Sequence, residues 1–146
     1  MAFVTKIAHG AIRARDAEKT AAFYTEVIGF REAFRMYKDD GTLSTIYMYV
    51  GDGGFLEIFT DGAEDHPMGS QSIGICHICY ETDDIEGLYE HVKNCGAPID
   101  VPLVTGRAKC LLFYTHDPDG NAVELMQLPE DSLQAQAKKR LEGEKL

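Results

Sequence analysis

Basic charge is what this chain is shortest of: 14 Lys and Arg stand against 24 Asp and Glu, a formal net charge of −10. A surface for nucleic acid or for an anionic membrane needs a clustered basic patch, so neither partner is expected. Long apolar runs are absent as well. No stretch approaches the roughly eighteen residues that span a bilayer. Met1 to Gly10 lacks the charged head and apolar core of a secretion signal, so a cytoplasmic location is expected. Proline is scarce, at five residues, while 45% of residues are hydrophobic, which argues against an intrinsically disordered chain. Four cysteines in a reducing compartment stay thiols. Cys76 and Cys79 form a C-x-x-C, but on a strand their side chains face opposite ways. No second C-x-x-C completes a zinc knuckle, so both are expected to be buried structural residues.

What is present is a duplicated pattern. The first half reads Ile7-Ala8-His9-Gly10-Ala11-Ile12, an acidic cap at Asp16, then Ala22, Phe23, Val27 and Ile28 at helical spacing, closing at Gly29. The second half reads Ile75-Cys76-His77-Ile78-Cys79-Tyr80, a cap at Asp84, then Ile85, Leu88, Tyr89 and Val92, closing at Gly96. Each histidine precedes its capping aspartate by seven positions, and the glycines follow by 20 and 19. Asp at an N-cap accepts backbone N–H bonds and Gly takes the left-handed conformation past a helix end, so both helices have start and stop signals.

Strand character follows at 31–37, 44–50 and 55–60, and again at 111–115 and 122–128, with turns at Asp39-Asp40-Gly41, Asp52-Gly53-Gly54 and Asp117-Pro118-Asp119-Gly120. The expected fold is α+β, built of two tandem β-α-β-β-β modules at about 4–60 and 73–128 within one domain spanning 1–146. A polar linker occupies 61–72 and a capped, exposed helix 131–146.

Strand alternation puts His9 on the face of Ile7 and Ala11, and His77 on the face of Ile75 and Cys79. Each module's last strand carries a carboxylate among apolar residues: Glu57 in Phe55-Leu56-Glu57-Ile58-Phe59 and Glu124 in Ala122-Val123-Glu124-Leu125-Met126. An ionised carboxylate left desolvated and unpaired costs several kcal/mol, so each demands a partner. His9 to Glu57 is 48 positions and His77 to Glu124 is 47. Two equivalent imidazole–carboxylate couples make an N2O2 set that suits nickel, cobalt, zinc, manganese or ferrous iron, and the ligand types do not choose among them. A lone strand histidine is more commonly a hydrogen-bonded core residue; the recurrence of all four positions in register is what points to a metal. His66, His91 and His116 lack that recurrence and read as solvated or structural. Phe55, Phe59 and Met126, with Tyr47 or Tyr49, are expected to line the cleft. An anionic substrate would have to meet Arg13, Arg15, Arg107 or Lys109.

With these residues in view, the sequence resembles the vicinal oxygen chelate superfamily, over about residues 5 to 128, and within it the short, single-site glyoxalase I (lactoylglutathione lyase) branch. The matching features are His9 followed by Arg13, the helical Phe23-Tyr24 pair, and Asp117-Pro118-Asp119-Gly120 leading into Ala122-Val123-Glu124-Leu125. The resemblance implies two modules forming a curved mixed sheet around a metal cleft, one divalent ion held by His9, Glu57, His77 and Glu124, and a homodimer, since the modules of this superfamily often meet across two chains. Branches with two histidines and one glutamate lack a ligand at the Glu57 position. Methylmalonyl-CoA epimerases resemble the present set but commonly carry glutamine there.

The implied chemistry is isomerisation of an α-hydroxycarbonyl or hemithioacetal through an enediolate, with Glu124 as the first choice of general base and Glu57 as its symmetric partner. Arg13 would hold a substrate carboxylate, with glutathione as the co-substrate. Three departures bear on that thiol: Asp61 stands where glyoxalases tend to have asparagine, Lys109 lies one position from the family's basic residue, and Gly69-Ser70-Gln71-Ser72 is uncharged. An epimerase or isomerase acting on a sugar or acyl-CoA, and a non-catalytic module that binds a small molecule, are the alternative expectations.

Overall fold

The structure, a computed structural model, describes residues 3–65 and 73–143. Part of the expected linker, His66 included, lies outside those residues, as do Gly69-Ser70-Gln71-Ser72 and the end of the C-terminal helix. The chain divides into two compact units. One comprises Lys6–Cys76 and the turn Asp117–Asn121; the other comprises Met1–Thr5, His77–His116 and Ala122–Leu146.

The first unit runs β1 (His9–Arg13), α1 (Ala17–Glu26), β2 (Arg31–Tyr37), β3 (Leu43–Gly51) and β4 (Gly54–Phe59). Its four strands lie in the order β1-β4-β3-β2, with β1 parallel to β4 and the remaining pairs antiparallel. The second unit runs β5 (Ile78–Glu81), α2 (Ile85–Asn94), β6 (Val101–Thr105), β7 (Leu111–His116), β8 (Ala122–Gln127) and α3 (Leu133–Gly143). Its sheet has the matching order β5-β8-β7-β6, again with the first pair parallel. The two mixed sheets and three helices are those of the expected α+β class.

Both helix starts work as expected: an Asp16 carboxylate oxygen accepts the Lys19 N–H at 3.1 Å, and one of Asp84 accepts the Gly87 N–H at 2.9 Å. Past the second helix, Gly96 (φ +73°) lets the Ala97 N–H turn back onto the Val92 carbonyl at 3.3 Å. Against α1 the first sheet presents Ile46, Met48, Leu56 and Ile58, all with no exposed surface. Because side chains alternate along a strand, Glu57 must then point to the other face. In the second unit Phe113, Val123 and Leu125 are buried in the same way, and Glu124 again alternates with them.

Three expectations change. The entry strands begin at His9 and at Ile78, not near Ile7 and Ile75, which are 86% and 82% exposed. The physical reason is the partner's length: β4 starts only at Gly54 and β8 at Ala122, so residues upstream have nothing to pair with. For the same reason Cys76 lies outside any strand. Cys76 and Cys79 are both exposed rather than buried, and all four cysteines are thiols. Finally, β6 forms across Pro102, which strand propensity disfavours. A proline is tolerated because β6 is an edge strand whose pairing with β7 is irregular between Val101 and Val104.

The Asp117–Asn121 turn is anchored by Asp117, which is 1% exposed. One of its oxygens accepts the N–H groups of Asp119 and Asn121, at 3.0 and 2.9 Å. The other accepts the Tyr24 hydroxyl at 3.3 Å and the Asn121 amide at 2.9 Å. Asp117→Ala strands several donors together and is expected to lower stability by about 2–4 kcal/mol in urea denaturation, against about 1 kcal/mol for Tyr24→Phe.

Candidate functional site

In the first unit, the face of the sheet turned away from α1 carries His9, Ala11 and Arg13 from β1, Phe55, Glu57 and Phe59 from β4, and Tyr47 and Tyr49 from β3. The register pairs Glu57 with both Ala11 and Tyr47. Glu57 is 9% exposed, yet both of its oxygens are engaged. Oε1 accepts the Tyr47 hydroxyl at 2.7 Å, and Oε2 lies 3.6 Å from His9 Nε2. The His9 side chain is itself half exposed, so it is not the core histidine that strand alternation alone suggests.

In the second unit, His77 Nε2 lies 2.8 Å from Glu124 Oε2, and Glu124 is 5% exposed. His77 directly precedes β5 and packs edge-on against Tyr114, the register partner of Glu124 (ring centroids 5.5 Å apart). Cys79 is the other register partner of Glu124. Although Cys79 as a residue is exposed, its thiol is partly desolvated, and this, reinforced by the Glu124 carboxylate to which it donates, pushes it up to about 12.

Each unit thus brings together one imidazole and one buried carboxylate. Within neither unit do three or more His, Cys, Asp or Glu side chains of the described residues form a metal-binding cluster. The donor chemistry nevertheless fits half of a metal site. An imidazole and a carboxylate in each unit are donor types a divalent ion accepts, and their N–O separations are 3.6 and 2.8 Å.

The remaining site candidates fall in different places. Phe55 and Phe59 flank Glu57 on its own face. Met126, two residues beyond Glu124 in β8, shares the face of Glu124. Arg13 lies over the Phe59 ring, 5.0 Å from its centroid, and is ion-paired with Asp61. Lys109 sits in the turn before β7 with φ +60° and reaches Asp131 at 3.4 Å. Arg15 pairs with Asp65. His116 is held by Asp100 at 2.8 Å, and His91 lies one helical turn before Cys95 in α2.

Sequence reasoning passed over the donors to the carboxylates, Tyr47 as a hydrogen-bonding group and Cys79. A signal was present for the tyrosine: Tyr47 precedes Glu57 by ten positions and Tyr114 precedes Glu124 by ten. The structure places each of these tyrosines opposite its glutamate, across the β3–β4 and β7–β8 pairings.

Two measurements follow from these contacts. The hydrogen bond to the Glu57 carboxylate, then burial, then the carboxylate's charge raise the Tyr47 phenol above its ordinary value. Since the folded state holds this proton more tightly, the contribution to stability is complete below the ordinary phenol range near about 10 and is lost as pH rises through the raised value. An ultraviolet tyrosinate titration of the wild type minus Tyr47→Phe should show a step only above that range. Alkylation at pH 8, followed by mass spectrometry, should find Cys79 more than about tenfold slower than Cys76, since little of the Cys79 thiol is ionised.

Comparison with known proteins adds the context. Residues 6–125 match the family model for the Glyoxalase/Bleomycin resistance protein/Dioxygenase superfamily. A lactoylglutathione lyase of Schizosaccharomyces pombe is 26% identical across 86% of this chain and 48% of its own length, so the chain spans about half of that relative. An ethylmalonyl-CoA/methylmalonyl-CoA epimerase of Cereibacter sphaeroides is 28% identical, over 86% of this chain and 99% of its own length. Among solved structures, a glyoxalase family protein from Enterococcus faecalis superposes with a TM-score of 0.72 at 25% identity, covering 86% of this chain and 99% of that one.

Proposed function

We propose a function from one established premise: the chain belongs to the Glyoxalase/Bleomycin resistance protein/Dioxygenase superfamily. Proteins of this superfamily commonly use a divalent metal, are often enzymes and are often dimeric. On our reading this chain is a metal-dependent lyase or isomerase of the glyoxalase I type, acting on an α-hydroxycarbonyl or a hemithioacetal. The observation that carries the reading is the duplicated couple of imidazole and buried carboxylate, His9 with Glu57 and His77 with Glu124.

These four side chains would hold one divalent ion, nickel, cobalt, zinc, manganese or iron. Since each unit contributes half of the set, the two halves come either from one chain or from two chains of a homodimer. Once bound, such an ion supplies the Lewis acidity that makes a C–H beside a carbonyl acidic enough to lose its proton. The rest of the chemistry falls to the protein. Glu124 takes the proton from one carbon and returns it to the neighbouring one, and Phe55, Phe59 and Met126 exclude water from the reacting carbons.

Glu124 is taken as the base because the family resemblance names the second-half glutamate for that role. With the imidazoles committed to an ion, Glu57 would keep the Tyr47 hydroxyl as a donor, and Glu124 would keep the Cys79 thiol, which has only Ala11 as its counterpart beside Glu57.

The acyl-CoA epimerase reading has one specific observation in its favour. Arg13, the group that would receive a glutathione carboxylate, is already neutralised by Asp61. A glutathione conjugate would have to displace that pair; a substrate recognised elsewhere would not. No helix among the described residues is long and apolar enough to cross a membrane.

Elemental analysis of the purified protein should find a divalent metal, and chelation should abolish turnover until metal is restored. Glu124→Gln should lower turnover by about a hundredfold or more while the folded state is kept. Isomerisation of the methylglyoxal–glutathione hemithioacetal identifies the lyase, and solvent deuterium appearing at the α-carbon of methylmalonyl-CoA identifies the epimerase. Neither reaction with any of the five metals would reject both.

A further inference from the structure

The face of the first sheet that bears Glu57 carries more than a metal couple. From Tyr47, whose hydroxyl holds Glu57, an unbroken aromatic row leads outward. Phe34 of the edge strand β2 stacks on Tyr47 with centroids 4.3 Å apart and planes at 17°, while Phe55 meets Tyr47 and Tyr49 edge-on at 6.3 and 5.6 Å. Phe34 and Met36 are 47% and 45% exposed, so this apolar row is open to a ligand. At its end Arg31, the register partner of Tyr49, lies over that ring, 5.2 Å from the centroid.

Charge singles out Arg31. In a chain with ten more acidic than basic residues, Arg13 is neutralised by Asp61 and Arg35 by both Glu18 and Glu32. Among the described residues of this sheet's strands, Arg31 is the cation without a carboxylate partner. A guanidinium stacked on an aromatic ring keeps its edge N–H groups free for a planar oxyanion. Counting two strand spacings and two residues along the strand, the Arg31 backbone lies roughly 12 Å from that of Glu57.

We propose that Arg31, Phe34, Tyr47 and Tyr49 form a recognition strip for a substrate with a flat, apolar body and a distal carboxylate or phosphate. The assignment rests on the preceding section only in taking this face as the one that receives substrate. It assigns the anion-binding role to Arg31 rather than to the neutralised Arg13.

The test is calorimetric titration of the full chain, as purified, with three matched probes: biphenyl-4-carboxylate, biphenyl-4-yl phosphate and the neutral biphenyl-4-methanol. The anionic probes should bind about tenfold more tightly than the alcohol, and whichever binds tighter identifies the natural oxyanion. Arg31→Gln, an exposed substitution, should bring all three within about twofold of one another, Arg31→Lys should keep part of the preference, and Phe34→Ala should weaken all three alike. Absence of binding by every probe, or an anion preference intact in Arg31→Gln, overturns the assignment. A protein free of metal that still shows the Arg31-dependent preference would sink the metal reading and leave this one standing.

Discussion

A carboxylate set in the middle of a buried strand is the constraint around which each half of this molecule is arranged. Glu57 and Glu124 lie where the sheets bury them to 9% and 5% exposure, and each would be expensive to desolvate without donors. The sheet register supplies donors by placing Tyr47 opposite Glu57 and Cys79 beside Glu124. It also prevents slippage. A shift of one residue would turn the carboxylate into the helix-packed core and expose Leu56, Ile58, Val123 or Leu125 on the other face. The pairing that buries the core is therefore the pairing that presents the chemistry.

How much of this was legible beforehand follows from the same periodicities. The duplicated spacing of histidine, capping aspartate, glycine and glutamate is a property of the chain itself. Helix caps act over three or four residues, so Asp16 and Asp84 perform as read. What the chain does not display is where a strand's neighbour ends. Ile7 and Ile75 read as strand residues because local pattern contains no information about the start of β4 or β8. The same difference carries through to Cys76, which lies outside any strand. The Tyr47 contact escaped for a related reason: strand patterning identifies which side chains share a face, but which hydroxyl reaches which carboxylate depends on cross-strand register. Strand β6 was hidden by Pro102, since the proline's missing N–H matters only if that side of the strand needs a partner.

The acid excess has a consequence beyond solubility. Cations at Arg13, Arg15, Arg35, Lys93 and Lys109 are matched by carboxylates at hydrogen-bonding or near hydrogen-bonding range. A basic residue selected from sequence as an anion receptor is thus, in such a chain, more apt to be internally neutralised than available. This is why Arg13, the residue best supported by family resemblance, is a poorer candidate for carboxylate capture than its position suggests. The Asp61 pair bears directly on which branch of the superfamily the chemistry follows. A substrate carboxylate at Arg13 has to displace Asp61 from this exposed pair.

Duplication alone would give two equivalent carboxylates on one ion, with no reason for either to act as base. Both carboxylates face a tyrosine across the hairpin, but the halves differ on the other side, where Ala11 stands beside Glu57 and Cys79 beside Glu124. A phenol donates a strong hydrogen bond and, with its proton held more tightly than usual, stays a donor across the physiological range. A thiol donates weakly, and burial together with the neighbouring Glu124 carboxylate pushes the Cys79 ionisation up to about 12. Under the proposed ligand set, the thiol beside Glu124 is the group that would distinguish the two carboxylates while His9, Glu57, His77 and Glu124 hold the ion.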